Sequence, residues 1–124
     1  MARITGIGGV FVKTKDIAAR KEWYEKHLGL SGEYGANLRY RDDSSEAFCV
    51  VSSFPESTDY FDPSPHGVMV NFRVEDLDAF QAKLEAEGIE ILDRQDEVYG
   101  KFAWIMDPDG VKLELWEQLG PAPE

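Results

Sequence analysis

The sequence predicts an α+β fold in which two βαβββ repeats form one curved mixed sheet. Three observations lead there. Two helix-like stretches each start at an aspartate, Asp16 and Asp76, and each stop at a glycine, Gly29 and Gly88. Each stretch follows an apolar strand-like run and precedes further strand-like runs. A shift of sixty residues lays one cycle on the other, setting Val10 on Val70, Lys13 on Arg73, Asp16 on Asp76, Ala19 on Ala79 and Glu25 on Glu85. The 124 residues are expected to make one domain, with repeats at about 4–60 and 66–117, a length that buries enough surface to fold without disulfide or metal.

Each element has a local cause. Ile7–Lys13 reads as a strand. Asp16 then N-caps a helix to about Leu28, closed by Gly29, with Ile17, Tyr24 and Leu28 on one face. Strands follow at about Leu38–Arg41 and Ala47–Ser52, parted by the polar turn Asp42–Ser45, and Cys49 in the second of these is expected to be buried. The stretch 53–66 holds three prolines and no period, so it reads as a long loop of the kind that lids a site or meets a partner. Val68–Val74 alternates with period two. Asp76 caps the second helix, whose Leu77, Phe80 and Leu84 share a face. Ile89–Leu92, Phe102–Met106 and Val111–Trp116 complete the set, the last two joined by a type I turn at Asp107-Pro108-Asp109-Gly110.

Charge and composition exclude several classes of function. The net charge of −11 repels phosphate backbones, which disfavours nucleic acid and anionic membrane as partners. No apolar run reaches the ~20 residues of a bilayer span. Cys49 stands alone, so no internal disulfide forms, and the opening Met1-Ala2-Arg3-Ile4 carries no secretory pattern; a cytoplasmic location is expected.

Alternation assigns the faces. Val111, Leu113 and Leu115 should pack on a helix, as should Val68, Val70, Phe72 and Val74. Lys112, Glu114 and Trp116 then share the opposite face with Met69, Asn71 and Arg73, and with Phe11 from the first strand. Pairing Met106 with Val111 across the turn would put Trp104 with Leu113 on the helix side. The mixed face suits either a ligand cleft or a solvated outer surface. Glu114, near Arg73 and Lys112, suits either an ion-pair network or ligand and proton-transfer work. His66 reads as a loop anchor and His27 as a residue that favours its helix's C-terminal dipole.

The chain resembles the vicinal-oxygen-chelate superfamily, which includes glyoxalase I, extradiol dioxygenases and bleomycin resistance proteins. The resemblance rests on Gly9-Val-Phe-Val-Lys-Thr-Lys-Asp16, on Trp23-Tyr24 and His27-Leu28-Gly29-Leu30, on Val74-Glu75-Asp76-Leu77-Asp78-Ala79-Phe80, and on Asp107-Pro108-Asp109-Gly110 leading to Leu113-Glu114-Leu115-Trp116. It implies paired βαβββ modules in a U-shaped barrel, usually in a homodimer. It also implies a divalent metal held by His, Gln or Glu at the start of each module and by carboxylates in later strands. Here the matching positions are Gly9 and Met69, the run Ala47–Ser52 has no carboxylate, and only Glu114 matches. The expectation is therefore no metal and no other cofactor, a slip that brings His66 into play being the alternative.

Two functions follow as expectations. One is a metal-free binding module of the bleomycin-resistance kind. It would hold a small organic molecule, with ligand contacts from Phe11, Tyr60, Met69, Asn71, Arg73, Lys112 and Trp116. The other is a glyoxalase-type lyase or isomerase with Glu114 as catalytic base and Arg73 or Asn71 stabilising an oxyanion. A homodimer with the 53–66 loop at its interface or over the cleft is expected, because Phe54, Tyr60 and Phe61 offer apolar area to cover.

Overall fold

The computed structural model describes residues 2, 3, 5, 7–33 and 35–123; Ile4, at the expected start of the first repeat, and Gly6 lie outside them. Two helices, α1 (Ile17–Leu28) and α2 (Leu77–Ala86), accompany four strands, β1 (Met69–Arg73), β2 (Asp93–Glu97), β3 (Gly100–Met106) and β4 (Lys112–Gln118). The strands lie in the order β1-β4-β3-β2, with β1 parallel to β4 and the other pairs antiparallel. The α+β class and the curved mixed sheet are as expected, and the sheet is not closed.

Both helices form where their caps dictate. The Asp16 carboxylate accepts from Ala19 N at 3.0 Å and that of Asp76 from Ala79 N at 3.2 Å. Gly29 ends α1 in the left-handed region, φ 68°, with its N–H on Glu25 O and that of Leu30 on Tyr24 O. Leu77 and Leu84 of α2 bury fully against Ala103, Ile105, Val111, Leu113 and Leu115. Trp23, Tyr24 and Leu28 of α1 pack beside that cluster. Ile17, expected on the same face, is exposed in the first turn of α1. Every buried hydrophobic residue among those described lies between Leu77 and Trp116. At ~1.5–3 kcal/mol for each buried aliphatic side chain, the second repeat supplies most of the core stabilisation.

The first repeat departs from expectation. Ile7–Lys13, Leu38–Arg41 and Ala47–Ser52 form no strands; Tyr40–Asp42 makes a short 3-10 turn, and the bridge between Glu33 and Gly35 is isolated. A side-chain pattern is necessary for a strand but does not provide a neighbour's backbone to pair with. Gly8 and Gly9 also raise the entropic cost of extending the first run. Cys49 is accordingly exposed, not buried.

Two corrections fall in the second repeat. The strand expected at Ile89–Leu92 begins at Asp93. Gly88, φ 83°, follows α2 with the Ile89 N–H still bonded to Leu84 O at 3.0 Å, so the segment starts at the helix end, and only Leu92, whose N–H bonds Trp104 O at 2.8 Å, reaches the sheet. In the β3–β4 hairpin, Met106 faces Lys112 rather than Val111. Asp107 N donates to Val111 O at 2.9 Å, and Gly110, φ 78°, adds one residue in the left-handed region after the type I turn. One extra residue moves every β3 side chain to the other face, so Trp104 lies opposite Glu114 and Ile105 opposite Leu113.

Candidate functional site: an aromatic face around Glu114

The sheet surface turned away from the helices gathers side chains from three strands. β4 contributes Lys112, Glu114 and Trp116. Parallel pairing sets Met69, Asn71 and Arg73 of β1 beside them in that order. From β3, Trp104 lies opposite Glu114 and Phe102 opposite Trp116. Phe102 stacks on both tryptophans, 6.3 Å and 3° from Trp116, 6.2 Å and 16° from Trp104, so the three rings form one row. The first half of the chain covers this row. Phe48 meets Trp116 edge-on at 5.2 Å and Tyr60 meets Trp104 edge-on at 6.1 Å. Under this cover Trp104 and Trp116 retain only 5% and 8% exposure.

Glu114 is the hub of the polar groups. Its Oε1 accepts from the Tyr60 hydroxyl at 2.5 Å and from Trp104 Nε1 at 2.9 Å, and its Oε2 accepts from Asn71 Nδ2 at 2.5 Å. Burial, and then the bond to Glu114, push the Tyr60 hydroxyl well above the usual phenol range. Lys112 Nζ donates to Tyr60 O at 2.6 Å and lies 5.3 Å from the Tyr60 ring centroid and 5.8 Å from that of Trp104. Arg73 takes another course. Its Nε donates to Asp43 Oδ2 at 2.6 Å, one terminal nitrogen donates to Gln118 Oε1 at 2.5 Å, and its guanidinium lies 5.1 Å from the Trp116 ring centroid. That bond to Arg73 holds the Asp43 carboxyl below the usual range. The expected Arg73–Glu114 neighbourhood is thus replaced by Arg73–Asp43, because Arg73 stands opposite Trp116 and Asn71 opposite Glu114.

Of the residues singled out in the sequence, Met69, Asn71, Arg73, Lys112, Glu114 and Trp116 share this face and Tyr60 closes on it. Phe11 is not brought to it: the ring is 94% exposed and turns back towards Gly9. Trp104, Phe102, Phe48 and Asp43 belong to the cluster but were not among the residues expected there. The signal for Trp104 and Phe102 was Gly110, whose bulge sets the register. Phe48 and Asp43 arrive from an irregular segment that no period announces. His66 does anchor its loop, donating from Nε2 to Asp109 O at 2.9 Å. His27, buried in the last turn of α1, bonds Glu87 through Nδ1 at 3.1 Å.

The donor set does not fit a divalent metal. Gly9 has no side chain, Met69 offers a thioether, and Glu114 has Tyr60, Asn71 and Trp104 as its bonded neighbours. Among the described residues no three His, Cys, Asp or Glu side chains converge. Chemically, the arrangement can stack a flat molecule, accept its hydrogen-bond donors at Glu114 and set a cation over its ring.

Comparison with known proteins gives one consistent result. The family model described as Glyoxalase/Bleomycin resistance protein/Dioxygenase superfamily matches residues 6–115. TnmS3, an antibiotic binding protein from Streptomyces sp. CB03234, superposes with a TM-score of 0.59 at 18% identity, over 95% of this chain and 99% of that one. A protein from the mobile metagenome of V. Pseudocholerae gives 0.59 at 17% identity over 94% and 97%. A glyoxylase/bleomycin resistance protein/dioxygenase domain from Frankia sp. EAN1pec gives 0.58 at 18% identity over 94% and 99%. These identities speak to the fold alone. A search of curated proteins finds no match. No helix among the described residues is long and apolar enough to cross a membrane.

Proposed function

This chain belongs to the Glyoxalase/Bleomycin resistance protein/Dioxygenase superfamily, and from that membership we propose that it is a metal-independent binding module for a small organic molecule, working as a homodimer. The observation that carries the reading is the row Trp104–Phe102–Trp116 with Glu114 bonded to Trp104 at one end. Phe48 and Tyr60 cover the row here, so a planar ligand would reach the rings by displacing one of these side chains; aromatic surfaces with a few placed polar groups are the usual form of a small-molecule site. A structural relative described as an antibiotic binding protein supports the same role. Open depressions also lie along α1, one lined by Ile17, Ala18, Lys21, Glu22, Glu25 and Lys26. They bring no aromatic rings together, so the aromatic face is the better candidate.

The lyase or isomerase reading needs Glu114 as base with a cation or amide placed for an oxyanion. Arg73 is committed to Asp43 and Gln118, and Asn71 donates to Glu114 itself. Binding therefore accounts for more of the geometry than proton abstraction does. The test is a screen of planar aromatic compounds by tryptophan fluorescence, with elemental analysis of the purified protein alongside. Expected are hits that quench fluorescence, bind Glu114→Gln at least about tenfold more weakly, which is the worth of one charged hydrogen bond, and need no metal. Stoichiometric zinc, nickel, manganese or iron retained after dialysis and lost in Glu114→Ala would overturn the metal-independent reading. A screen without any Glu114-dependent hit would overturn the site.

A further inference from the structure

Resting on the binding role proposed above, the geometry points to the chemical class of the ligand: a neutral aromatic ring bearing a hydroxyl, whose place Tyr60 holds in this structure. Tyr60 comes from the irregular segment between Ser53 and His66, not from the sheet. Its side-chain contacts with the face are those any phenol would make, while its backbone carbonyl separately accepts from Lys112 Nζ at 2.6 Å. The hydroxyl donates to Glu114 Oε1 at 2.5 Å, the ring meets Trp104 edge-on, and the Lys112 ammonium lies 5.3 Å from the ring centroid. On its other side Phe54 stacks at 5.2 Å and 18°. The residue as a whole is still 38% exposed, so it sits at the rim and can leave without opening the core formed by Leu77, Leu84, Ile105, Leu113 and Leu115.

What Tyr60 would leave behind defines the replacement. Glu114 Oε1 would keep Trp104 Nε1 and lack one donor. Trp104 would lose its edge-on ring partner, and Lys112 would lose the nearer of its two rings while keeping Trp104 at 5.8 Å. A plain hydrocarbon ring restores the stacking but leaves the carboxylate short of its donor, which is costly in a half-buried site. A carboxylated ring brings a second negative charge against Glu114. A phenol supplies the O–H donor and the electron-rich face together.

The test uses p-cresol, which reproduces the tyrosine side chain, with toluene and 4-methylbenzoate as comparators, on wild type and Tyr60→Gly, read from tryptophan fluorescence and the Trp104 indole N–H resonance. In Tyr60→Gly, p-cresol is expected to bind about tenfold or more tighter than to wild type, where Tyr60 competes, and about tenfold tighter than either comparator. Adding Glu114→Gln should erase the preference over toluene. Equal affinity for p-cresol and toluene, or no binding of either to folded Tyr60→Gly, overturns the inference. Should Tyr60→Gly fail to fold, Tyr60→Phe keeps the ring and loses only the hydroxyl. It should then bind p-cresol tighter than wild type, and equal affinity overturns the inference. If wild type binds screening hits in a Glu114-dependent way while p-cresol fails, this inference alone falls; if no aromatic compound binds either protein, the binding role falls with it.

Discussion

At Gly100 a single methyl group is too much. A Cβ there would stand 2.7 Å from Trp116 Nε1 and 3.2 Å from Glu117 O. That indole nitrogen is buried and has no hydrogen-bond partner among the described residues, so the ring is held by its neighbours' packing and the glycine is its floor. Gly100→Ala is expected to lower unfolding free energy by about 1–3 kcal/mol, the cost of overpacking, measured by urea denaturation; an unchanged midpoint would show that Trp116 can shift. Asp109 offers a second test at this scale. Its hydrogen bond to Arg20 at 2.6 Å holds its carboxyl below the usual range, with burial opposing and Thr14 assisting. A folded-state pKa below the unfolded one gives stability that is present above about pH 4 and is lost as pH falls through the folded value. Melting temperature should therefore drop more steeply below about pH 4 in wild type than in Asp109→Asn. The site itself was partly legible residue by residue. Strict alternation placed Lys112, Glu114 and Trp116 correctly, but Trp104 was hidden by one turn residue, since face assignment depends on a register that only the left-handed Gly110 reveals.

Elements are held together by polar clamps as much as by the core. Arg20 of α1 donates to Asp107 at 2.8 Å and to Asp109 at 2.6 Å, both in the β3–β4 turn, and Tyr24 OH donates to Asp107 at 2.7 Å. The Asp107 side chain has no exposure and also accepts from the backbone N–H groups of Asp109 and Val111. One carboxylate thus shapes the turn, sets the β4 register and docks a helix of the first repeat onto the second. Removing one partner of such a buried pair costs about 3–5 kcal/mol, less where the other charge can reach water. Since Arg20 keeps 17% side-chain exposure, Asp107→Ala is expected to cost about 3 kcal/mol, and Arg20→Met, which leaves the turn bonds intact, clearly less. Equal losses would mean that the clamp, not the turn bonds, carries the stability. At the C-terminal ends, Lys83 of α2 donates to His27 O at 2.8 Å and to Glu87 at 2.9 Å, tying the helices a second time. Both helices could be read from sequence because caps are local chemistry. The strands of the second repeat could be read because their partners follow within a few residues. The segments 7–13 and 47–52 carry the same apolar signal without a backbone partner, and that lack is not written in their own residues.

Across the whole molecule, the asymmetry between the repeats leaves apolar surface uncovered. Val10, Phe11, Leu38, Val50, Val51, Phe54 and Val68 are all exposed, and all precede β1 in the chain. β1 is itself an edge of the sheet, with paired backbone on the β4 side only, and such edges invite a further strand. In the proposed homodimer, a second copy would cover this area and extend the edge. Electrostatics opposes the pairing: each copy carries a net charge of −11. Repulsion between two such bodies acts through solvent and is screened when the Debye length shrinks from roughly 20 Å at about 20 mM salt to roughly 6 Å at about 300 mM. The apolar contribution does not weaken over that range. Sedimentation equilibrium is therefore expected to give a mass approaching twice the chain's 14.0 kDa, with a dissociation constant that falls as salt is raised. Val51→Glu, which adds a charge to the exposed apolar stretch, should shift the equilibrium towards monomer. A mass that stays at 14.0 kDa at every concentration and salt would mean that the exposed residues fold back on their own sheet instead. An affinity that weakens with salt would place the contact on opposite charges rather than on this apolar surface.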